Sequence, residues 1–361
     1  MTQPAELLRV EGVSKRFVKP LDAAAKIANR FGAKNRESVV HAVDQVDLQV
    51  KAGEVVALVG ESGCGKSTFG RVIAGIHEAS EGEVFWQGEN ITRMKTEARK
   101  AFTLGAQMIF QDPMSSLNPR IRAGEIVGEA PRVHGLVSKA EEADYVASLL
   151  RRVGLDPDYA RRFPHQFSGG QRARIGIARA LAVKPKLLIC DESVAALDVS
   201  IQAQVLNLFM DLRDELGLAY VFISHDLGVV RHISDRILIM YLGRVIESGP
   251  TRAIFADPQH PYTRALLENV PRLDARKRAF TTIKGEIPSP LHPPTGCHFH
   301  PRCPLAGPRC AREVPKRVQP AEGRMVACHV LDGGVGYSLL PLADGQRPCS
   351  GKSFVVWASP S

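Results

Sequence analysis

One nine-residue stretch constrains this chain more than any other. Gly60-Glu61-Ser62-Gly63-Cys64-Gly65-Lys66-Ser67-Thr68 fits the pattern G-x-x-x-x-G-K-[ST] and follows a short apolar run, Glu54 to Val59. The run predicts a strand, the glycines a tight loop, and Lys66 to Ala74 a helix. Such a loop curls around phosphate because glycines accept backbone angles that side chains would block, so successive N–H groups point inward. Lys66 adds a positive charge, the helix beginning there contributes its N-terminal dipole, and the Ser67 hydroxyl is placed to ligate Mg²⁺. Cys64 holds a variable position of the loop as a small filler. Its thiol is nevertheless expected to react with alkylators and to be protected by ATP.

The rest of the chain supplies a frame for that loop. Leu7 to Val13 and Ala42 to Val50 read as strands, as do the shorter apolar runs Gln107 to Phe110, Leu187 to Cys190, Ala219 to Ile223 and Arg236 to Tyr241. Helical segments such as Ile201 to Leu216 separate them, and strands alternating with helices imply a largely parallel sheet covered on both faces. Ile121 to Phe163 is dominated by helical periodicity, as in Tyr145, Leu149, Leu150 and Val153, which predicts an inserted all-helical subdomain. Val18 to His41 reads as another insert. Leu21, Ala24, Ile27, Ala28 and Phe31 fall at helical spacing there, favouring a partly solvated surface helix over a membrane-contact element.

After Gly249 the texture changes. Pro258, Pro261, Pro271, Pro288, Pro290, Pro293 and Pro294 argue against long regular elements and place a boundary near residues 250 to 280. Leu331 to Ser361 is a weakly patterned tail. A length of 361 residues accommodates one large domain and an appendage. Hydrophobic and charged contents of 44% and 24% are ordinary for a globular protein, and no run approaches the roughly 18 apolar residues a membrane span needs. The expected compartment is the cytosol, where the seven cysteines stay reduced. A formal charge of +9 suits nucleic acid, an anionic surface or nucleotide phosphates alike, and discriminates little.

Beyond the phosphate loop, four features follow in a fixed order. They are Gln111, then Phe167-Ser168-Gly169-Gly170-Gln171, then Asp191-Glu192 at the end of the strand Leu187 to Cys190, then His225 after Ala219 to Ser224. A chain with this succession resembles the ATP-hydrolysing subunit of an ABC transporter. The resemblance implies an α/β P-loop NTPase core with a mostly parallel sheet, an antiparallel β subdomain, an inserted helical subdomain at about 112–183 and a small Pro/Cys-rich C-terminal extension. It also implies roles. Asp191 holds the Mg²⁺ shell, Glu192 polarises the attacking water as general base, and His225 contacts the γ-phosphate. Gln111 ligates Mg²⁺ or its water and senses the γ-phosphate, while Phe17 stacks on adenine.

Ser168-Gly169-Gly170-Gln171 opens a helix, with Ser168 as its N-cap and the glycines leaving N–H groups exposed for an anion. In the ABC family the matching segment covers the γ-phosphate bound to the opposite subunit, and Asp198 corresponds to the loop crossing between the two sites. Hydrolysis therefore implies a head-to-tail pair. Three positions depart from the family pattern: Phe167 for the usual leucine, Ser193 for proline and Ala195 for serine.

The likeness is closer than the family at large. Met108-Ile109-Phe110-Gln111-Asp112-Pro113, Ser116-Leu117-Asn118-Pro119-Arg120, Pro164-His165-Gln166-Phe167 and His260-Pro261-Tyr262-Thr263 resemble the oligopeptide/dipeptide importer ATPases. That branch implies an ATPase domain over 5–255, a C-terminal extension over 256–332 and a tail over 333–361. Its implied partners are two transmembrane permease subunits, a sister ATPase or a second copy, and indirectly an extracytoplasmic substrate-binding protein, with the chain peripheral at the cytoplasmic face of the membrane. Nickel and glutathione importers share these sequences and remain alternatives for the cargo. A soluble ABC ATPase acting on nucleic acid is more distant, because no long coiled coil or second ATPase domain is read here, and no nucleic-acid partner is expected.

Cys297, Cys303, Cys310 and Cys328 leave 5, 6 and 17 residues between neighbours inside the Pro-rich segment. Thiolates so placed suit a metal that would staple a weak appendage. The resemblance implies a [4Fe-4S] cluster there, with zinc and plain structural thiols as the alternatives. Cys349 reads as a bystander.

Overall fold

A computed structural model of the chain describes residues 5–21, 29–31, 37–112, 116–268 and 285–331. Half of the 18–41 insert, Ala24, Ile27 and Ala28 included, lies outside the described residues, as do Pro113, Pro271, Cys349 and the tail from 332 onward. The chain forms two compact units, Met1–Lys15 with Val43–Asp235 and Arg16–Ala42 with Arg236–Ser361. Strands β1 (Glu6–Lys19) and β2 (Ser38–Lys51) run past the expected strand ends, so the insert is shorter than 18–41. Within it Phe31 is 86% exposed.

In the first unit, β3 (Val55–Val59) is buried at every residue and leads through the Gly-rich loop into helix α1 (Lys66–Ile73). β4 (Glu81–Trp86) and β5 (Glu89–Asn90) follow, then α2 (Thr96–Gly105) and β6 (Ala106–Ile109). β4 pairs antiparallel with β1 and with β5, which forms the expected antiparallel β subdomain. The helical insertion contains α3 (Ala123–Val133), α4 (Glu142–Arg152), two 3-10 turns and α5 (Gly169–Leu181). The chain then returns to the sheet as β7 (Leu187–Asp191), α6 (Val199–Leu216), β8 (Ala219–Ser224) and α7 (Leu227–Ile233).

β3, β8, β7 and β6 lie side by side in that order, all parallel, and are almost wholly buried. Burial on both faces explains why these strands read as unbroken apolar runs rather than alternating ones. The parallel register also brings the C-terminal ends of β3, β7 and β8 to one edge, where α/β sheets present their ligand sites. A continuous core of Leu149, Leu150, Phe167, Ile175, Leu188, Phe209 and Phe222, among others, joins the helical insertion to the sheet.

The second unit contains β9 (Arg236–Tyr241), β10 (Arg244–Pro250), α8 (Thr251–Ala256), α9 (Pro261–Glu268), α10 (Pro308–Arg312), β11 (Arg317–Val318) and β12 (Met325–Ala327). β10 is antiparallel to both β9 and β12. Among the described residues of the proline-rich region the helices are short, the longest being α9. An aromatic cluster centred on Phe299 holds the region, with ring centroids 5.2 Å from Tyr241, 5.4 Å from Tyr262 and 5.7 Å from His260. Edge-to-face packing of this kind gives a small unit a dense core. Burial drives the His260 pKa down to about 3, so the ring stays neutral. Beside the cluster, fully buried Glu247 accepts hydrogen bonds from the backbone N–H groups of Gln259 and His260 and from the Arg324 guanidinium.

Candidate active site

The phosphate loop takes the shape its sequence requires. Gly65 sits at φ 105 as the N-cap of α1, a left-handed angle that side-chain-bearing residues rarely adopt. Lys66 is 4% exposed, and its ammonium donates to the carbonyls of Gly60 at 2.8 Å and Glu61 at 3.0 Å. Those carbonyls hold the charge inside the loop, where a phosphate would draw it. Ser62 and Gly63 are exposed at the loop's outer turn, while Ser67 and Thr68 open the helix.

Cys64 corrects one expectation. It is 2% exposed, and burial pushes its thiol pKa up despite the neighbouring Lys66 charge. A shielded, protonated thiol is a poor nucleophile, so the predicted alkylator sensitivity does not follow from this fold.

Asp191 ends β7 and is 1% exposed. The Ser67 hydroxyl donates to its Oδ1 at 2.8 Å. Burial raises the Asp191 carboxyl pKa above its ordinary value; the Ser67 hydrogen bond and the Arg71 charge work against that rise, and Glu192 adds to it. Arg71, one helical turn past Ser67, escaped sequence reasoning, since a basic residue in a helix's last turn is common. Two hard oxygen donors side by side at the mouth of a phosphate loop fit a Mg²⁺ ion, with Gln111 as the third expected group.

Glu192 follows directly, at φ 45, another left-handed angle. Its backbone N–H donates to the Ile223 carbonyl of β8 at 3.0 Å, which fixes the turn. A non-glycine residue there costs on the order of 1 kcal/mol, and residues so held cluster at functional sites. The turn aims the carboxylate at two partners from other strands. Gln111, after β6, donates from Nε2 to Oε2 at 2.8 Å, and His225, after β8, places Nδ1 3.4 Å from Oε1. Three side chains that stand far apart in sequence thus meet on one carboxylate, at the ends of three adjacent parallel strands.

The Ser168 segment forms a reciprocal cap on α5. The Gln171 backbone N–H donates to Ser168 Oγ at 3.3 Å, and the Ser168 N–H donates to Gln171 Oε1 at 3.0 Å. Because Oγ serves here as an acceptor, its O–H remains available to donate; the cap is worth about 1 kcal/mol. Ser168 and Gly169 are exposed, as an anion site needs. Gly170 has a steric reason as well, since a Cβ there would lie 2.4 Å from Ile201 Cγ2 at the start of α6. Asp198 caps that same helix and is exposed, and its carbonyl accepts from the Gln202 N–H at 2.8 Å. Phe167 fills its space by burial, with an edge contact to Tyr159. Phe17 lies on β1 in the second unit, 39% exposed.

Each of the four C-terminal cysteines is a free thiol, and burial above all pushes the Cys328 pKa up to about 12. Cys303 is pushed up to about 11, again mainly by burial. Among the described residues, however, no group of three or more His, Cys, Asp or Glu side chains is arranged to hold a metal ion. The expected iron–sulfur ligand set is therefore not formed by these side chains. Burial favours the protonated thiol, whereas metal ligation needs the thiolate. Backbone bonds such as Cys297 N–H to the Cys310 carbonyl at 2.8 Å tie the loops together instead.

Among the described residues no helix is long and apolar enough to cross a membrane. Residues 43–195 match the family described as ABC transporter, and residues 246–310 match the one described as oligopeptide/dipeptide transporter, C-terminal region. The chain is 49% identical over 338 residues to y4tS of Sinorhizobium fredii, a probable peptide ABC transporter ATP-binding protein, with 93% of each covered. It is 51% identical over 278 residues to the oligopeptide transport ATP-binding protein OppF of Escherichia coli, covering 76% of this chain and 83% of that one. Among solved structures, the dimeric post-hydrolysis ATP-binding cassette MJ0796 bound to ADP and Pi is similar at a TM-score of 0.57 and 28% identity, covering 68% of this chain and 99% of that one.

Proposed function

We infer the function from membership: this chain belongs to the ATP-binding subunits of ABC transporters, in their oligopeptide/dipeptide branch, and is an ATPase. It powers the import of di- or oligopeptides. The observation that carries this reading is the placement of Glu192, one residue beyond the Ser67–Asp191 pair and held between Gln111 and His225.

In the proposed mechanism the glycine loop and Lys66 bind the triphosphate, the ammonium exchanging the Gly60 and Glu61 carbonyls for phosphate oxygens. Ser67 and Asp191, with Gln111, would hold Mg²⁺, which neutralises the phosphate charge. Glu192 accepts the proton of the attacking water, a role worth about 10²- to 10⁴-fold in rate. His225 steadies that carboxylate and meets the γ-phosphate. The Ser168 hydroxyl and the N–H groups of Gly169 and Gly170 cover the γ-phosphate of the opposite subunit, with Asp198 at the crossing between the two sites. Phe17 stacks on the adenine. The ATPase domain comprises 5–255 and the extension 256–332.

The pair forms with a sister ATPase or a second copy, on two transmembrane permease subunits at the cytoplasmic face of the membrane, and a substrate-binding protein delivers cargo from outside. Peptide cargo is supported by the relatives y4tS and OppF, a probable peptide and an oligopeptide transport ATP-binding protein. Reconstitution with the membrane subunits in vesicles tests it. ATP-dependent uptake of labelled di- or oligopeptides is the expected result; uptake of nickel chelates or glutathione but not peptides would replace the cargo. Iron and acid-labile sulfide, measured after anaerobic purification, decide whether the four cysteines turn toward a [4Fe-4S] cluster: comparable amounts of both would establish it, and iron-free protein would reject it.

A further inference from the structure

We propose that Arg179 is a positioning residue that couples the loop bearing Gln111 to the helix bearing Ser168, within one protomer. The Arg179 Nη1 donates to the Ser116 carbonyl at 2.6 Å. The Ser116 N–H in turn donates to the carbonyl of Asp112 at 3.1 Å, and Asp112 adjoins Gln111, whose side chain holds Glu192. These bonds form a continuous path from the general base to the last turn of α5. Its first turn carries the Ser168 cap.

The neighbouring arginines of α5 serve other ends. Arg172 donates to the Phe167 carbonyl, and Arg174 to the Val153 carbonyl and to Gln204 Oε1 on α6. Arg179 instead reaches the segment that follows Gln111. It is half-buried, and burial lowers its pKa, yet a guanidinium stays charged at any physiological pH. A charged donor on a partly desolvated carbonyl makes a strong, directional link. An α-helix transmits a displacement along its axis with little internal change, so movement of the Gln111 loop at one end of α5 is felt at the other. There Gly169 lies against Leu197 and Gly170 against Ile201, which leaves the cap little freedom to shift independently of α6. When a nucleotide draws Gln111 away from Glu192, Arg179 passes that change to the segment that must meet the partner's phosphate.

Spatial continuity alone does not establish coupling; non-additive mutations do. The proposal rests on the roles assigned above to Gln111 and Glu192, and the test separates the two. ATP turnover, ATP affinity and thermal stability are measured for the parent, Arg179→Gln, Gln111→Ala and the double variant. Arg179→Gln is expected to slow turnover about tenfold while ATP affinity stays within about twofold, and the double variant is expected to be no slower than the slower single one. Arg179→Lys, which keeps a donor, should recover part of the loss and gives a folded comparison if the glutamine variant is unstable. Losses that multiply in the double variant would overturn the coupling, as would parent-like turnover in Arg179→Gln or a fall in ATP affinity matching its fall in turnover. If Glu192→Gln kept full activity, the underlying site reading would fail instead.

Discussion

Ser67 and Asp191, 124 residues apart in sequence, share a 2.8 Å hydrogen bond in which the hydroxyl donates to the carboxylate. The bond stabilises the ionised form of an acid that burial pushes toward its protonated form. The raised carboxyl favours folding at low pH, and that contribution is lost as pH rises through the raised value. Divalent-ion binding has the opposite sense, because it needs the carboxylate and gains over the same window. Ser67→Ala should therefore move the acid limb of Mg²⁺-dependent ATP binding to higher pH and weaken binding by about tenfold, equal to roughly 1.4 kcal/mol. Affinity titrations between pH 4 and 7, as an order-of-magnitude window around the carboxyl range, check it. An unshifted limb would count against the pairing.

Gly170→Ala places a methyl 2.4 Å from Ile201 Cγ2, on a side chain stiff at χ1. The expected cost is about 1 to 3 kcal/mol, read as a lower melting temperature. Ile201→Ala in the same chain should return part of it. If the double variant is no more stable than Gly170→Ala alone, steric conflict with Ile201 is not the reason for the glycine.

Cys64 should label slowly in the native protein and readily after denaturation. Peptide mapping after brief alkylation shows this directly. Rapid stoichiometric labelling of native Cys64 would mean that the loop opens far more often than its burial implies.

Much of this was legible in the sequence, for identifiable reasons. β3, β7 and β8 read as apolar runs because both sheet faces are covered, and their last residues had to deliver Asp191, Glu192 and His225 to one edge. Spacing alone could not show that Gln111 and His225 meet on the same carboxylate, since that depends on strand order β3, β8, β7, β6. Nor could it show the burial of Cys64, which follows from the loop's curl rather than from polarity. Arg71 and Arg179 were hidden for a plainer reason: arginine on a helix is ordinary until the fold shows what its guanidinium faces. In the extension, Glu247 and Arg324 are 77 residues apart, and no local pattern pairs them.

That pair supports a stability prediction. Glu247 is fully buried and Arg324 is 9% exposed, so removing one partner strands a charge in the interior. Arg324→Met should cost about 3 to 5 kcal/mol. Chemical denaturation monitored in the second unit would show it; a loss below about 1 kcal/mol, the usual value for a surface pair, would place the pair in water.

Glu192, poised between Gln111 and His225, is proposed to take the proton from water once two subunits enclose ATP. Steady-state ATP turnover of Glu192→Gln, recorded beside ATP-induced pairing of the same protein by light scattering, tests it most directly. The expected variant doubles in mass with ATP and turns over at least about 10²-fold more slowly than the parent. Near-parent turnover, or hydrolysis by a species that never doubles in mass, would contradict it.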